Sequence, residues 1–139
     1  MKLVVDASVA IKWFLGATHD ETNLAEAQAV AAAIDSSGTE LFAPSHWILE
    51  IIAVLARIDP SIVDEALLLL DDMNALLVDS VPVLKRAADL SVTLNHHLFD
   101  TLYHAVALEV GATLIIADEA YFAKAKDLGS ITRLADFAV

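Results

Sequence analysis

The chain has 139 residues with no cysteine; 58% are hydrophobic, and the formal net charge at pH 7 is -12. This composition excludes disorder, disulfides and thiolate chemistry, and it favours one globular domain over residues 1–139 with a cytoplasmic location. No uncharged run approaches the roughly 18 residues that a membrane-spanning helix needs, so we expect no membrane association.

Short strands alternate with helical stretches along the chain. The first half predicts a strand at Lys2–Asp6, helices at Ala7–Leu15 and Asn23–Ile34, a strand at Glu40–Ala43, and helices at His46–Arg57, capped by Ser45, and Ser61–Asn74. The second half predicts a strand at Leu76–Asp79, helices at Pro82–Leu94 and Phe99–Val110, a strand at Leu114–Ala117, a helix at Glu119–Lys126 and an edge strand at Ser130–Thr132. This alternation predicts an α/β fold, a three-layer α/β/α sandwich around a short parallel sheet of four or five strands.

Two aspartates follow predicted strands at the point where each strand ends. Asp6 comes after Leu3, Val4 and Val5, and Asp118 follows the apolar run that starts at Thr113. In an open α/β sheet, ligands collect outside the carboxyl ends of the strands. We therefore expect Asp6 and Asp118 to share one pocket.

Two further acids stand inside apolar helices. Glu50 is the one charge between Trp47 and Ala56, with His46 and Ala53 among its neighbours on the helix. Asp100 precedes an apolar stretch that carries no charge until Glu109. An ionised carboxylate is costly in such surroundings unless a cation meets it, so a shared metal ion explains both positions.

Each acid also has a simpler interpretation. Asp6, Asp100 and Asp118 stand near helix starts, where aspartate is favoured as a cap, and Glu50 could mark a narrow solvent-facing stripe. The histidines give a weaker signal. His104 lies one turn after Asp100 and could share its face, but a hydrogen-bonded core or surface histidine is the commoner situation.

The ordered motifs resemble the PIN domain family, and within it the short single-domain VapC-type toxin ribonucleases. The motifs are Val4-Val-Asp6-Ala-Ser8-Val, Pro44 followed by Glu50, Phe99-Asp100-Thr-Leu-Tyr-His-Ala-Val-Ala107, and Ile116-Ala-Asp118 followed by Phe122. Together they span nearly the whole chain.

The resemblance implies that Asp6, Glu50, Asp100 and Asp118 form an acidic quartet that binds Mg²⁺ or Mn²⁺ and catalyses RNA cleavage. The aspartates would be the principal ligands, and Glu50 a ligand or the group that orients the nucleophile. Ser8 would match the family's small hydroxyl residue. An antitoxin protein is the partner that the resemblance implies.

Two positions depart from the family's pattern. Ala53 stands where the family often has Asn, and Ile116 where it often has Thr or Ser. We therefore expect less polar support around the ligands. A PIN-like protein-binding scaffold with weak or lost nuclease activity stays open as the alternative function.

The net charge of -12 is unfavourable for a polyanionic substrate such as RNA. Candidate phosphate contacts are Lys12, Arg57, Lys85 and Arg86, although ordinary solvated charges are the favoured explanation. The Leu67–Leu70 run exceeds one helix face, which predicts a homodimer.

Two proteins of other kinds use an aspartate after a strand. A phosphate-transfer hydrolase would need a second acid two residues after Asp6, where the chain has Ser8. A receiver-type signalling domain would use Asp79 as phosphoacceptor and a lysine after the last strand, which this chain does not offer there.

Overall fold

The computed structural model describes residues 1–19 and 22–138. These residues form five strands: β1 at Lys2–Val5, β2 at Glu40–Ala43, β3 at Leu76–Leu77, β4 at Thr113–Ile116 and β5 at Ile131–Arg133. They also form seven α-helices: α1 at Ala7–His19, α2 at Leu24–Asp35, α3 at Trp47–Ile58, α4 at Val63–Asp72, α5 at Val81–Leu94, α6 at Leu98–Val110 and α7 at Glu119–Ala125.

The strands make one parallel sheet in the order β3-β2-β1-β4-β5. Its centre is the apolar β1, where Leu3 is aligned with Leu41 of β2 and with Thr113 of β4. Since a parallel sheet is covered on both faces, its central strands are continuous apolar runs, as they are in β1 and β4. The predicted fold class is confirmed.

The order of the strands decides which helices share a face. The chain steps from β1 to β3 in one direction and places β4 and β5 on the other side of β1. Right-handed crossovers then put α1–α4 on one face and α5–α7 on the other. The contacts agree, because α1 packs on α2 and α3, α3 packs on α4, and α5 packs on α6.

Several predicted boundaries shift for local reasons. Helix α1 runs on to His19 rather than ending at Leu15. Pro60–Ile62 forms a 3-10 turn, so α4 begins at Val63 rather than at Ser61. The prediction that Ser45 caps the third helix is wrong, because His46 is the N-cap residue and no side chain there bonds the helix amides.

The core lies between the sheet and both helical layers. Trp47, Tyr103 and Tyr121 are its largest fully buried side chains. Leu70 is buried, whereas Leu67, Leu68 and Leu69 are exposed on α4, so the leucine run does cover more than one helix face. The homodimer predicted from that run stays a prediction.

No described helix combines the length and the apolar character that crossing a membrane would require.

Candidate functional site

Asp6 stands at the carboxyl end of β1, beside the end of β4. Its amide donates to the Ile115 carbonyl at 3.0 Å, which continues the pairing of the two strands. Its Oδ2 accepts the Ser8 amide at 2.9 Å, and the Ser8 hydroxyl accepts the Ala117 amide at 3.2 Å. Ser8 therefore ties the segment that carries Asp6 to the segment that carries Asp118.

Asp118 and Asp100 reach this edge from two different helices. Asp118 is the N-cap of α7, and its Oδ1 accepts the amides of Ala120 and Tyr121 at 3.0 and 3.2 Å. Asp100 lies in the first turn of α6, whose N-cap is His97. Gly111, in the left-handed region at φ 70°, ends α6 two residues before β4 begins, so α6 runs antiparallel to β4. Its first turn consequently lies at the carboxyl edge of the sheet.

The capping interpretation therefore holds for only part of the set. Asp118 does cap a helix, and Asp6 bonds an amide at the start of α1. Asp100 is inside α6 rather than at its cap position, so capping does not explain it.

The acids converge at this edge. Ligand atoms of His96, Asp100 and Asp118 all lie within 4.8 Å of one another. The pKa of Asp6 is raised to about 6, because burial, together with the charges of Asp100 and Glu50, outweighs the hydrogen bonds from Ser8. Like charges brought together in this way repel unless a proton or a cation intervenes. Asp6 is thus coupled to Asp100 and Glu50, and Asp100 lies beside Asp118, while the group within 4.8 Å among the described residues holds two of the four predicted acids, Asp100 and Asp118.

Glu50 is held by two donors on its own side of the cluster. Its Oε1 accepts the Tyr103 hydroxyl in a short hydrogen bond and lies 3.1 Å from His46 Nε2. Burial alone would raise the pKa of Glu50, but the bonds from His46 and Tyr103 outweigh it and lower the pKa. Glu50 is therefore ionised at neutral pH.

His46 joins α3 to α6. Its Nε2 lies 3.1 Å from Glu50 Oε1 and 3.1 Å from the Phe99 carbonyl, which are both acceptors, so Nε2 carries the proton. The ring packs against Phe99 and Tyr103, with centroids 5.1 and 5.0 Å away. This contact fixes Glu50 relative to the first turn of α6.

A second histidine meets the acids from the other side. His96 Nε2 lies 2.9 Å from Asp100 Oδ2, and Lys124 Nζ lies 3.1 Å from His96 Nδ1. The His96 ring packs edge-on against Tyr121 at 4.9 Å. Neither His96 nor Lys124 was predicted to take part in the site, and His96 precedes α6, so helical spacing gave no signal for it.

His104 does not contact Asp100. It is fully buried, with Nε2 2.8 Å from the Gly129 carbonyl and Nδ1 2.9 Å from the Tyr121 hydroxyl. Burial lowers its pKa, so it stays neutral. His104 is thus a hydrogen-bonded core histidine that supports Tyr121.

Tyr103→Phe tests how much the hydrogen bond from Tyr103 to Glu50 stabilises the fold. Burial, the hydrogen bond to Glu50 and the neighbouring carboxylates raise the pKa of Tyr103 far above its usual value, so the hydroxyl is always a donor. Hydrogen bonds to charged groups contribute about 1.5–3 kcal/mol to stability. Because the Glu50 side chain is about one-third exposed, we expect the variant to lose about 1.5 kcal/mol of unfolding free energy, the lower end of that range. Urea unfolding measures it.

The stabilisation that Tyr103 gives to Glu50 should depend on pH in a defined direction. The lowered pKa of Glu50 means that the stabilisation is complete above the usual value of 4.5 and is lost as pH falls through the folded-state pKa. Glu50→Gln and the double variant complete a mutant cycle. Strictly additive losses would contradict coupling between Tyr103 and Glu50.

Comparison with known proteins identifies the family of this fold. The family model of the PIN domain matches residues 3–128. The chain belongs to the PIN domain family. This PIN domain is similar in structure to VapBC-1 from nontypeable Haemophilus influenzae, with a TM-score of 0.69 and 17% identity over 98% of this chain and 100% of that one. No curated protein is similar enough in sequence to count as a match.

The cations predicted to contact phosphate lie in varied surroundings. Lys85 pairs with Asp89 at 3.2 Å and Arg86 approaches Glu109 at 3.9 Å, so carboxylates already neutralise both on the surface. Lys12 is buried, and its Nζ donates to the Thr22 carbonyl at 2.9 Å. None of these contacts indicates a phosphate-binding site in the PIN domain.

Proposed function

We propose that the chain is a divalent-metal-dependent endoribonuclease that hydrolyses RNA phosphodiester bonds. The observation that carries the proposal is the pair Asp100 and Asp118 within 4.8 Å, coupled through Asp100 to Asp6 and Glu50, in a chain of the PIN family. We further propose that it is the toxin of a type II toxin-antitoxin pair. The motifs shared with VapC-type toxins and the likeness to VapBC-1 support that role and an antitoxin protein as partner.

The donor set fits a hard divalent cation. Carboxylate oxygens are the ligands that Mg²⁺ and Mn²⁺ prefer, and the chain has no cysteine to favour zinc. Burial and, to a smaller extent, the charges of Asp100 and Glu50 raise the pKa of Asp6, and a bound cation would offset the cost of ionising it. Asp6, Asp100 and Asp118 would hold the ion. When bound, such an ion supplies Lewis acidity at the scissile phosphate and a lowered pKa for a water molecule.

Residues of the chain would orient the water molecule that attacks the scissile phosphate. Glu50 is ionised and fixed through Oε1 by His46 and Tyr103, so its other oxygen is available to orient a water molecule and accept its proton. The water oxygen would bond to phosphorus as its proton passes to Glu50, and the bond from phosphorus to the leaving ribose oxygen would break, with that oxygen taking up a proton from solvent. Ser8 and the α7 amides hold Asp6 and Asp118 in place during this step.

Cation binding is the first test of the proposal. In chain stripped of metal, adding Mn²⁺ should raise the melting temperature, because the ion binds the folded acid cluster and not the unfolded chain. At a free Mn²⁺ concentration about ten times the Kd, the gain in unfolding free energy is about 1.4 kcal/mol. At roughly 4 °C per kcal/mol, this is a rise of about 6 °C in melting temperature. Differential scanning calorimetry measures the change in melting temperature. An identical change in Asp100→Asn would place the bound ion elsewhere.

A fluorogenic RNA cleavage assay tests the activity itself. We expect cleavage with Mg²⁺ or Mn²⁺ and none with excess chelator. Metal binding without any cleavage, at every RNA tried, would favour the alternative of a PIN-like protein-binding scaffold. The net charge of -12, Ala53 and Ile116 are the properties that favour that alternative.

A further inference from the structure

We infer that His96 is a positioning residue that fixes Asp100 for cation binding and is not itself a ligand. The inference rests on the proposed metal centre and concerns how this chain supports it. A ring nitrogen of His96 lies within 4.8 Å of carboxylate oxygens of Asp100 and Asp118, so proximity alone would count His96 as a third ligand. The proton on its ring decides between the two roles.

Lys124 sets the position of that proton. An ammonium has three donors and no acceptor, so Lys124 Nζ, 3.1 Å from His96 Nδ1, must donate to it. A second bond to the Asn95 carbonyl at 3.0 Å holds the ammonium in place. Nδ1 is therefore an acceptor, and the proton of the neutral ring is on Nε2.

A protonated Nε2 cannot ligate a cation, but it can donate to a carboxylate. It lies 2.9 Å from Asp100 Oδ2, the distance of a hydrogen bond to a charged acceptor. Oδ2 is thus restrained, while Oδ1 has no donor among the residues that the structure describes. His96 in this way leaves one defined oxygen of Asp100 for the ion.

Packing restrains the ring as well. The His96 side chain is only 11% exposed and stands edge-on against Tyr121 at 4.9 Å. The Tyr121 hydroxyl donates to His104 Nδ1, because His104 Nε2 must carry the proton for the Gly129 carbonyl. The buried His104 thereby fixes Tyr121, and Tyr121 fixes the plane of His96.

In other metal sites, residues that hydrogen-bond to the ligands orient them, and their loss weakens metal affinity on the order of tenfold or more. We expect His96 to act on Asp100 in the same way. Three variants of the full chain separate its roles. His96→Leu keeps the bulk against Tyr121 and removes the donor. His96→Gln restores an N–H near the position of Nε2. His97→Leu is the matched control, since His97 is the exposed neighbour whose ring lies 6.0 Å from that of His96.

Titration of Mn²⁺, followed by the electron paramagnetic resonance of the free ion, measures the affinity. We expect His96→Leu to lose at least about tenfold in affinity, and His96→Gln and His97→Leu to stay close to the parent. Electron spin echo modulation of bound Mn²⁺ should show no directly coordinated imidazole nitrogen. A coordinated nitrogen that disappears in His96→Leu would make His96 a ligand and overturn the inference.

Nitrogen NMR of the imidazoles adds a readout that needs no metal. In the metal-free parent His96 should be protonated at Nε2, and Lys124→Met should move the population toward protonated Nδ1. A parent ring protonated at Nδ1 would overturn the inference even if Mn²⁺ binds. A parent that fails to bind Mn²⁺ would instead remove the proposed metal centre, and with it the role of His96.

Discussion

Asp100→Asn should lower RNA cleavage on the order of a hundredfold or more. The substitution removes a charge from the centre of the cluster, where Asp100 lies beside Asp118 and acts on the charge of Asp6. A bound metal ion stabilises the transition state by several kcal/mol, and a loss of about 3 kcal/mol is about a hundredfold in rate. The fluorogenic assay in Mn²⁺, read as kcat/KM, measures the effect.

The variant should still fold. Asparagine has nearly the shape of aspartate, and its amide oxygen can still accept from His96 Nε2. Asp79→Asn is the matched control, because Asp79 is an exposed acid after β3, outside the cluster. It should cleave as the parent does. Equal trace cleavage by parent, Asp79→Asn and Asp100→Asn would refute the nuclease proposal and indicate a contaminating activity.

The sheet and the placement of the acids could be predicted from the sequence because both depend on local patterns. Apolar β-branched runs at β1 and β4 mark buried parallel strands, and such strands end at a common edge. Asp6 and Asp118 follow directly from that rule. Glu50 and Asp100 could be singled out because each is a charge in an apolar helix, where burial without a partner is costly.

The groups that orient the acids could not be predicted in the same way. The substitutions at Ala53 and Ile116 suggested sparse polar support, and the structure supplies that support from other positions. Tyr103 reaches Glu50 from another helix, and Lys124 reaches His96 from α7. Such contacts depend on side-chain rotamers and on how helices meet, which no spacing along one segment encodes.

The histidines on either side of Asp100 show a further limit. His104 and His96 are each four residues from Asp100, one after it and one before it. Helical spacing allows His104 to approach the carboxylate, but His96 precedes α6, so that rule does not apply to it. In the structure His96 bonds Asp100, while His104 bonds Tyr121 and Gly129. Contacts with α7 separate the two histidines, because Tyr121 of α7 bonds His104 and Lys124 of α7 bonds His96.

Asp6→Asn should make the metal-free chain more stable at neutral pH, by about 2–3 kcal/mol. Burial raises the pKa of Asp6 from 3.8 to about 6, so ionising this carboxylate opposes folding. A tenfold change in an acid dissociation constant corresponds to about 1.4 kcal/mol between the two protonation states. Asparagine removes the buried charge and can still accept the Ser8 amide through its side-chain oxygen. A residue proposed to hold the ion is thus expected to destabilise the chain that lacks it.

The dependence of the unfolding free energy on pH distinguishes the cost of ionising Asp6 from a general effect of the substitution. The folded parent binds more protons than the unfolded chain between pH 3.8 and about 6, so its stability falls as pH rises through that interval. Urea unfolding in excess chelator should therefore show parent and Asp6→Asn equal below the interval and separated by the full difference above it. Taking the difference between the two proteins cancels the opposite contribution of Glu50.

Mn²⁺ at about a thousand times the parent's Kd, where binding adds about 4 kcal/mol, should reverse the order of the two proteins. The ion compensates the charge of Asp6 in the parent and has one ligand fewer in Asp6→Asn, so the parent should gain stability with added Mn²⁺ and the variant little or none. Ser8→Ala serves as the control for local disruption, because it loses the hydroxyl that binds the Ala117 amide and keeps every carboxylate. A metal-free Asp6→Asn chain that is less stable than the parent at neutral pH would mean that Asp6 stabilises the fold as an ordinary helix cap. The repulsion that a divalent ion is proposed to relieve would then be absent.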